Sequence, residues 1–132
     1  MSKPIRDVDI ETANGKKTCV SAVLDSGSFY TIIRQDCLPR GAVVETLKVK
    51  QKFGTAKRRG GKLVVTAVVY LKMRVEGRWI SDEAKVAPDL GSEMLIGAKT
   101  MQAWDITIKN KNGRTTIHVG HDMNDPDIQT VL

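Results

Sequence analysis

Residues 23–33 read V-L-D-S-G-S-F-Y-T-I-I and place a short polar turn between two apolar stretches. The acid of this turn, Asp25, follows a strand-like run and is itself followed by small residues. Gly27 allows another backbone to come close, because glycine has no Cβ. An acid in such a turn at the end of a hydrophobic strand predicts a buried carboxylate with a chemical role. The alternative is a structural Asx turn between two strands.

The length of 132 residues and the hydrophobic content of 41% indicate one globular domain. We assign residues 1–132 to this domain, with a core at about 4–120 and a C-terminal tail at 121–132. The longest apolar run, residues 63–71, contains Thr66 and is too short to cross a membrane. The first residues, M-S-K-P-I-R-D, have no apolar run of the signal-peptide kind, so we expect a cytoplasmic protein.

The two cysteines, Cys19 and Cys37, have neither the C-x-x-C spacing nor the nearby histidines of a zinc site. We therefore expect two reduced thiols and no bound metal. The net charge of +6 and the pI near 9.5 suit an acidic partner. Nucleic acid and an acidic peptide both have that property, and charge alone does not distinguish them.

Most of the chain has the alternating or β-branched pattern of strands. The dipeptide N-G at residues 14–15 and 112–113 predicts two tight hairpins. In residues 47–53, apolar or neutral side chains alternate with lysines, which predicts a strand with one face in water. Only residues 98–104 have apolar side chains at helical spacing. The sequence therefore predicts an all-β fold with one short helix.

Three segments together carry a resemblance to a known family. They are the loop L-D-S-G-S at residues 24–28, the glycine-bearing hairpin tip at 53–61, and M-L-I-G at 94–97 with the short helix after it. In this order and spacing they resemble the retropepsin-like aspartic proteases, the single-lobe relatives of pepsin. The resemblance covers residues 4–120 and implies a closed, barrel-like β lobe with its one short helix directly after the third segment.

The resemblance implies that Asp25 is the catalytic residue of an aspartic endopeptidase that cleaves extended protein segments. Hydrolysis by this route needs two carboxylates that share a proton, because like charges about 3 Å apart cannot both ionise. The chain contains one Asp-Ser-Gly sequence. We therefore predict a symmetric homodimer in which the two copies of Asp25 meet on the two-fold axis, without any cofactor.

The other loop residues, Ser26, Gly27 and Ser28, are expected to support this pair of acids. The resemblance implies that Ser26 hydrogen-bonds across the dimer axis and that Gly27 lets the two loops approach. The hydroxyl of Ser28 is expected to donate to Asp25 and to favour its ionised form. The activity optimum of Ser28→Ala would then move to higher pH.

The hairpin tip is expected to act as a flap that closes over an extended peptide and excludes water. Its cations indicate a preference for acidic residues near the cleavage site. Solvated charges that keep an exposed edge from aggregating explain them equally well. The expected flap and substrate-binding residues are Phe53, Gly54, Thr55, Ala56, Lys57, Arg58, Arg59 and Gly60.

Leu95, Ile96 and Gly97 are expected to pack beside the active-site loop as structural support. At Gly97 the absence of a side chain would let a second segment pass close by.

Further expectations concern the substrate and the dimer. We expect Ile32, Ile33 and Val43 to line subsites for an extended peptide. In the family, the N-terminal and C-terminal strands interleave at the dimer interface. Residues 4–10 and 115–119 are the corresponding candidates in this chain.

Two non-enzymatic alternatives are open. One is a retropepsin-like domain used for dimerisation or peptide binding, with Asp25 retained but with weak catalysis. The other is a nucleic-acid-binding domain that uses the basic residues at 48–52 and 57–62. We do not expect the second, because the aromatic residues that stack on single-stranded nucleic acid are missing apart from Phe53.

Overall fold

The computed structural model describes residues 4–54 and 61–125. Over these residues the chain forms nine strands, one α-helix and one 3-10 turn. The strands are β1 (Ile5–Thr12), β2 (Lys17–Asp25), β3 (Ile32–Arg34), β4 (Glu45–Phe53), β5 (Leu63–Val75), β6 (Arg78–Ala87), β7 (Met94–Gly97), β8 (Ile106–Lys111) and β9 (Arg114–Val119). The helix α1 is Ala98–Ala103, and the 3-10 turn is Gln35–Cys37.

Seven strands form one sheet in the order β1-β2-β7-β3-β6-β5-β4. Because β1 also pairs with β5, the first six strands of that order close into a barrel. The seventh strand, β4, pairs antiparallel with β5. Strands β8 and β9 form a separate hairpin. The predicted all-β, barrel-like fold with one short helix after Gly97 is therefore confirmed.

Alternation along the strands divides the apolar side chains between two clusters. The barrel core is filled from every barrel strand and includes Leu24, Ile33 and Ile96. A smaller outer cluster lies on the other face of β3, β6 and β7 and at the start of β5. Its buried members are Ile32, Leu63, Val65, Ala87, Leu90 and Leu95, and Val23, Tyr30, Leu47 and Phe53 pack against them.

Strand β4 departs from the regular alternation that the sequence predicts. Thr46 pairs with Ala67, but Gln51 pairs with Val65, so residues 47–50 bulge away from β5. As a result Val49 is 81% exposed, although its position in the pattern predicts a buried side chain. The lysines at positions 48, 50 and 52 are exposed, as predicted. The predicted strand is therefore present with its lysines in water, but the bulge also exposes the opposite face at Val49.

The first residues of the C-terminal tail lie against β6. The backbone N–H of Met123 donates to the Trp79 carbonyl (2.8 Å), and Arg78 Nε donates to Asp122 Oδ2 (2.6 Å). Residues 126–132 of the tail lie outside the described part of the chain. None of the helices in the described ranges has the length and apolar character needed to cross a membrane.

Candidate active site

Asp25 is the last residue of β2, and it is paired in parallel with Gly97 of β7. The preceding Leu24 is buried in the barrel core, whereas Asp25 itself is half-buried. Its Oδ1 accepts a hydrogen bond from the backbone N–H of Gly27 (2.9 Å), and its carbonyl accepts one from the N–H of Ser28 (3.1 Å). The carboxylate is therefore fixed by its own loop at the open end of a rigid strand. Ser26 and Gly27 beside it are exposed.

The hydroxyl of Ser28 has a different partner from the one expected. It donates to the carbonyl of Tyr30 (2.9 Å), and a serine hydroxyl has one proton to donate. The expected donation from Ser28 to Asp25 is therefore wrong in this structure. Ser28 therefore stabilises the exit of the loop.

Gly97 lies where two segments of backbone cross. A Cβ at this position would lie 2.4 Å from the carbonyl oxygen of Tyr30 and 2.7 Å from that of Phe29. Directly after it, the N–H of Ala98 donates to the carbonyl of Ser28 (2.7 Å), and the N–H of Lys99 donates to Phe29 (2.9 Å). The start of α1 thus holds the end of the active-site loop. Of the preceding residues, Ile96 packs in the barrel core and Leu95 in the outer cluster.

A buried chain of hydroxyl groups, absent from the sequence analysis, also fixes this crossing. The N–H of Gly97 donates to Thr31 Oγ1 (3.1 Å), and Thr31 and Thr100 hydroxyls are 2.6 Å apart. Thr100 donates its proton to Asp82 Oδ2 (2.6 Å), so Thr31 is the donor to Thr100. Thr31 and Thr100 are 2% and 0% exposed. Nothing in the sequence pattern relates residues that are 69 positions apart, so this contact required the structure.

Aromatic side chains lie beside the active-site loop. The rings of Phe29 and Tyr30 meet edge to face with centroids 5.0 Å apart, and the Tyr30 and Phe53 centroids are 5.5 Å apart. Phe53 is the last residue of β4, so the base of the expected flap lies next to the loop. The expected flap residues at positions 55–60 lie outside the described residues, and Gly54 is the last one before them.

Two solved structures resemble the chain over most of its length. The EIAV protease complexed with the inhibitor HBY-793 is 17% identical and covers 83% of this chain and 94% of its own, with a TM-score of 0.55. The retroviral protease-like domain of Ddi1 from Leishmania major is 16% identical and covers 96% of this chain and 99% of its own, with a TM-score of 0.61. The chain has a retropepsin-like fold. No protein-family model and no curated protein matches it. At these identities the likeness establishes the fold alone, so the activity has to be argued from the site.

The three expected subsite residues do not lie together. Ile33 is 0% exposed and belongs to the barrel core, on the face opposite to Ile32. Val43 is 71% exposed, but it lines a pocket with Asn14 and Tyr70, outside the outer cluster. Ile32 is a buried member of the outer cluster, beneath the aromatic side chains.

The terminal strands expected at the dimer interface pair with other strands of the same chain. Residues 5–11 of β1 pair with β2, and residues 9–12 pair on the other side with β5. Strand β1 is therefore largely occupied inside its own chain. Strand β9 pairs only with β8 among the described strands, and Arg6 joins it to β1 by donating to the Thr115 carbonyl (2.8 Å).

A pocket of about 360 Å³ lies between the active-site loop and the β8–β9 hairpin. It is lined by Ser26, Ala98, Met101, Gln102, Asp105, Ile106 and Ile108. Met101 and Ile106 are its buried apolar members, and Ser26, Gln102 and Asp105 are its exposed polar members.

Cys19 and Cys37 are free thiols, and burial raises the pKa of the Cys37 thiol. Within residues 4–54 and 61–125, no three His, Cys, Asp or Glu side chains are grouped so that they could hold a metal ion.

Proposed function

We propose that this chain is an aspartic endopeptidase that works as a homodimer and hydrolyses peptide bonds of extended protein segments. The observation that carries the proposal is the placement of Asp25. The acid ends a barrel strand, its Oδ1 is fixed by the N–H of Gly27, and its loop is held by the crossing at Gly97. A carboxylate held so firmly, at the edge of the molecule and beside an aromatic surface, is suited to act on a bound chain.

The reaction requires one Asp25 from each subunit. One carboxylate, in its ionised form, accepts a proton from a water molecule while the water oxygen attacks the peptide carbonyl carbon. The other carboxyl group donates its proton to the carbonyl oxygen, which gives a tetrahedral diol. When the C–N bond breaks, the protonated carboxyl group gives its proton to the leaving nitrogen and the other carboxylate takes a proton from a hydroxyl of the diol, so the pair again holds one shared proton.

The surface beside Ser26 supports a contact with a second copy of the chain. It combines the exposed loop residues Ser26 and Gly27 with the pocket next to the β8–β9 hairpin, which has both apolar and polar lining residues. In a symmetric dimer each copy covers the same surface of the other, which brings the two loops together. Because β1 is mostly paired within its own chain, we assign the strand contribution to the β8–β9 hairpin rather than to residues 4–10.

The function is tested by cleavage of an unfolded reporter protein and of peptides by the wild type and by Asp25→Asn. We expect cleavage by the wild type, its inhibition by a statine-type peptide, and no cleavage by Asp25→Asn. Asp7→Asn is a matched control, because Asp7 is exposed on β1. Cleavage that survives Asp25→Asn would refute the proposal. Peptide binding without cleavage by the wild type would instead indicate a binding module.

The dimer is tested with Ile108→Glu, which places a charge in the pocket beside Ser26. We expect this variant to sediment as a monomer and to lose activity at concentrations where the wild type is dimeric and active. Val43→Glu, at a side chain that is already 71% exposed on another surface, should remain dimeric. A dimeric and active Ile108→Glu variant would place the interface elsewhere.

A further inference from the structure

Lys85 lies on the outer face of β6 and extends over an aromatic ring. Its neighbours Ala84 and Val86 both pack in the barrel core, so by alternation the Lys85 side chain is on the outside. Its Nζ is 4.7 Å from the centroid of the Tyr30 ring, a cation–π distance. Tyr30 is in turn packed by Phe53, so the ammonium group is placed by a ring that is itself fixed.

Lys85 and Asp25 are both on the outer side of the sheet, because their neighbours Val86 and Leu24 pack in the barrel core. Register links Asp25 to β7, β7 to Ile32 of β3, and Ile32 to Lys85 of β6. Asp25 pairs with Gly97, two residues beyond the Leu95 that pairs with Ile32, so three strand spacings of about 4.8 Å and an offset of about 7 Å along β7 separate Asp25 from Lys85, or roughly 16 Å along the sheet. An extended peptide advances about 3.3 Å per residue, and the lysine side chain reaches back over Tyr30. A substrate side chain two to four residues from the cleaved bond would therefore come within reach of Nζ.

The ammonium group is available to a ligand. Among the described residues, 4–54 and 61–125, no carboxylate makes an ion pair with Lys85. A cation over a ring face keeps N–H donors directed away from the ring. The phenol of Tyr30 adds a further donor nearby.

The charge distribution along the chain favours an anionic ligand at this place. Residues 46–75, which contain most of β4 and all of β5, have nine Lys and Arg and no acidic residue, and Glu45 and Glu76 flank them. The remaining residues contain twelve Lys and Arg and fifteen Asp and Glu. The positive charge of the sequence is therefore concentrated in this segment, and its residue Phe53 contacts Tyr30. A field of this sign attracts acidic segments and raises their rate of encounter.

We propose that Lys85, held over Tyr30, is a specificity-determining residue that binds the carboxylate of a Glu or Asp side chain two to four residues from the cleaved bond. The inference rests on the proposed endopeptidase function and names the class of segment that it cleaves. The ligand is a polypeptide side chain, because the lysine is reached along the same aromatic surface that leads to Asp25.

The test compares cleavage of peptide pairs that differ only in Glu or Gln at one position, scanned over the four residues on each side of the bond. We expect wild type to prefer Glu at one position by roughly fivefold in kcat/KM, as for a partly exposed ion pair. Lys85→Met should cleave both peptides at equal rates, and Lys85→Glu should prefer Gln. Arg74→Met and Arg74→Glu are matched charge controls, since Arg74 is exposed six residues beyond the Val68 that pairs with Lys85.

An unchanged preference for Glu in Lys85→Met and Lys85→Glu would overturn the inference while leaving the endopeptidase proposal intact. Absence of cleavage by wild type would refute the function itself. In that case the role of Lys85 is tested by measuring the affinities of the same peptides for Asp25→Asn and for Asp25→Asn/Lys85→Met. Loss of the Glu preference in the double variant supports the inference, and equal affinities of both peptides for Asp25→Asn overturn it.

Discussion

Replacement of Gly97 by alanine tests how the active-site loop is held. The backbone at Gly97 is extended (φ −93, ψ 176), a conformation that any residue adopts, so the requirement for glycine is entirely steric. An added Cβ would lie 2.4 Å from the Tyr30 oxygen and 2.6 Å from its carbonyl carbon. To restore a normal contact the two segments must separate by about 1 Å. Both atoms in contact are backbone, so no side chain can turn aside.

The cost has two parts. Overpacking of this kind costs about 1–3 kcal/mol. The separation also lengthens the hydrogen bonds from Ala98 to Ser28 and from Lys99 to Phe29, each worth about 1 kcal/mol. The stabilising effect of alanine on the unfolded chain, about 0.4–1 kcal/mol, is smaller and opposite in sign. We therefore expect a net loss of about 3 kcal/mol, which for a domain of this size lowers Tm by on the order of 10 °C.

The assay is thermal and urea denaturation, followed by peptide cleavage below the melting range. A displacement of about 1 Å next to Asp25 should also reduce kcat/KM on the order of 100-fold. Gly54→Ala is the stability control, because among the described residues no atom outside its chain neighbours lies within 4 Å of its added Cβ, and its Tm should remain close to that of wild type. A Gly97→Ala variant with wild-type Tm and wild-type activity would refute the steric reasoning.

Two further predictions concern hydrogen bonds that the structure assigns. Ser28→Ala removes the hydrogen bond to the Tyr30 carbonyl and should lower the free energy of unfolding in urea by about 1 kcal/mol. The pH dependence of cleavage should stay as in wild type. A shifted pH optimum would mean that the hydroxyl acts on the catalytic acid. The hydrogen bond from Arg78 lowers the pKa of Asp122. The stability that this hydrogen bond contributes is present above the ordinary carboxyl pKa of about 4. It is lost as the pH falls through the lower pKa that Asp122 has in the folded state. Asp122→Asn should therefore be less stable than wild type at pH 7, and the difference should shrink between pH 4 and pH 2; a difference that is independent of pH would contradict this assignment.

The parts of the fold that the sequence predicts well are those that depend on local patterns. Asp25 ends a strand because an apolar run precedes a turn-forming D-S-G, and the strand and the turn are found where that pattern places them. The close crossing at Gly97 follows from the same kind of information, a glycine directly after two buried residues. The helix after it begins at Ala98, where the helical spacing begins.

The parts that the sequence does not predict depend on contacts between distant residues. A serine hydroxyl beside an acid has several acceptors within reach, and only the path of the chain to Tyr30 decides which one it uses. The pairing of Thr31 with Thr100 joins segments with no common pattern. The bulge at residues 47–50 of β4 is invisible in a regular alternation, because an insertion in the pairing leaves the sequence period unchanged.

Because side chains alternate along β3 and β7, the residues that stabilise the barrel core differ from those that support the proposed substrate surface. Ile33 and Ile96 pack in the barrel core, whereas their neighbours Ile32 and Leu95 face the outer cluster beneath Tyr30. A change at the inner positions opens a cavity in the core and costs stability. A change at the outer positions alters the support of the aromatic surface and leaves the core packing in place. Substrate preference can therefore vary at the outer positions, and at Lys85 above them, without loss of the barrel that holds Asp25.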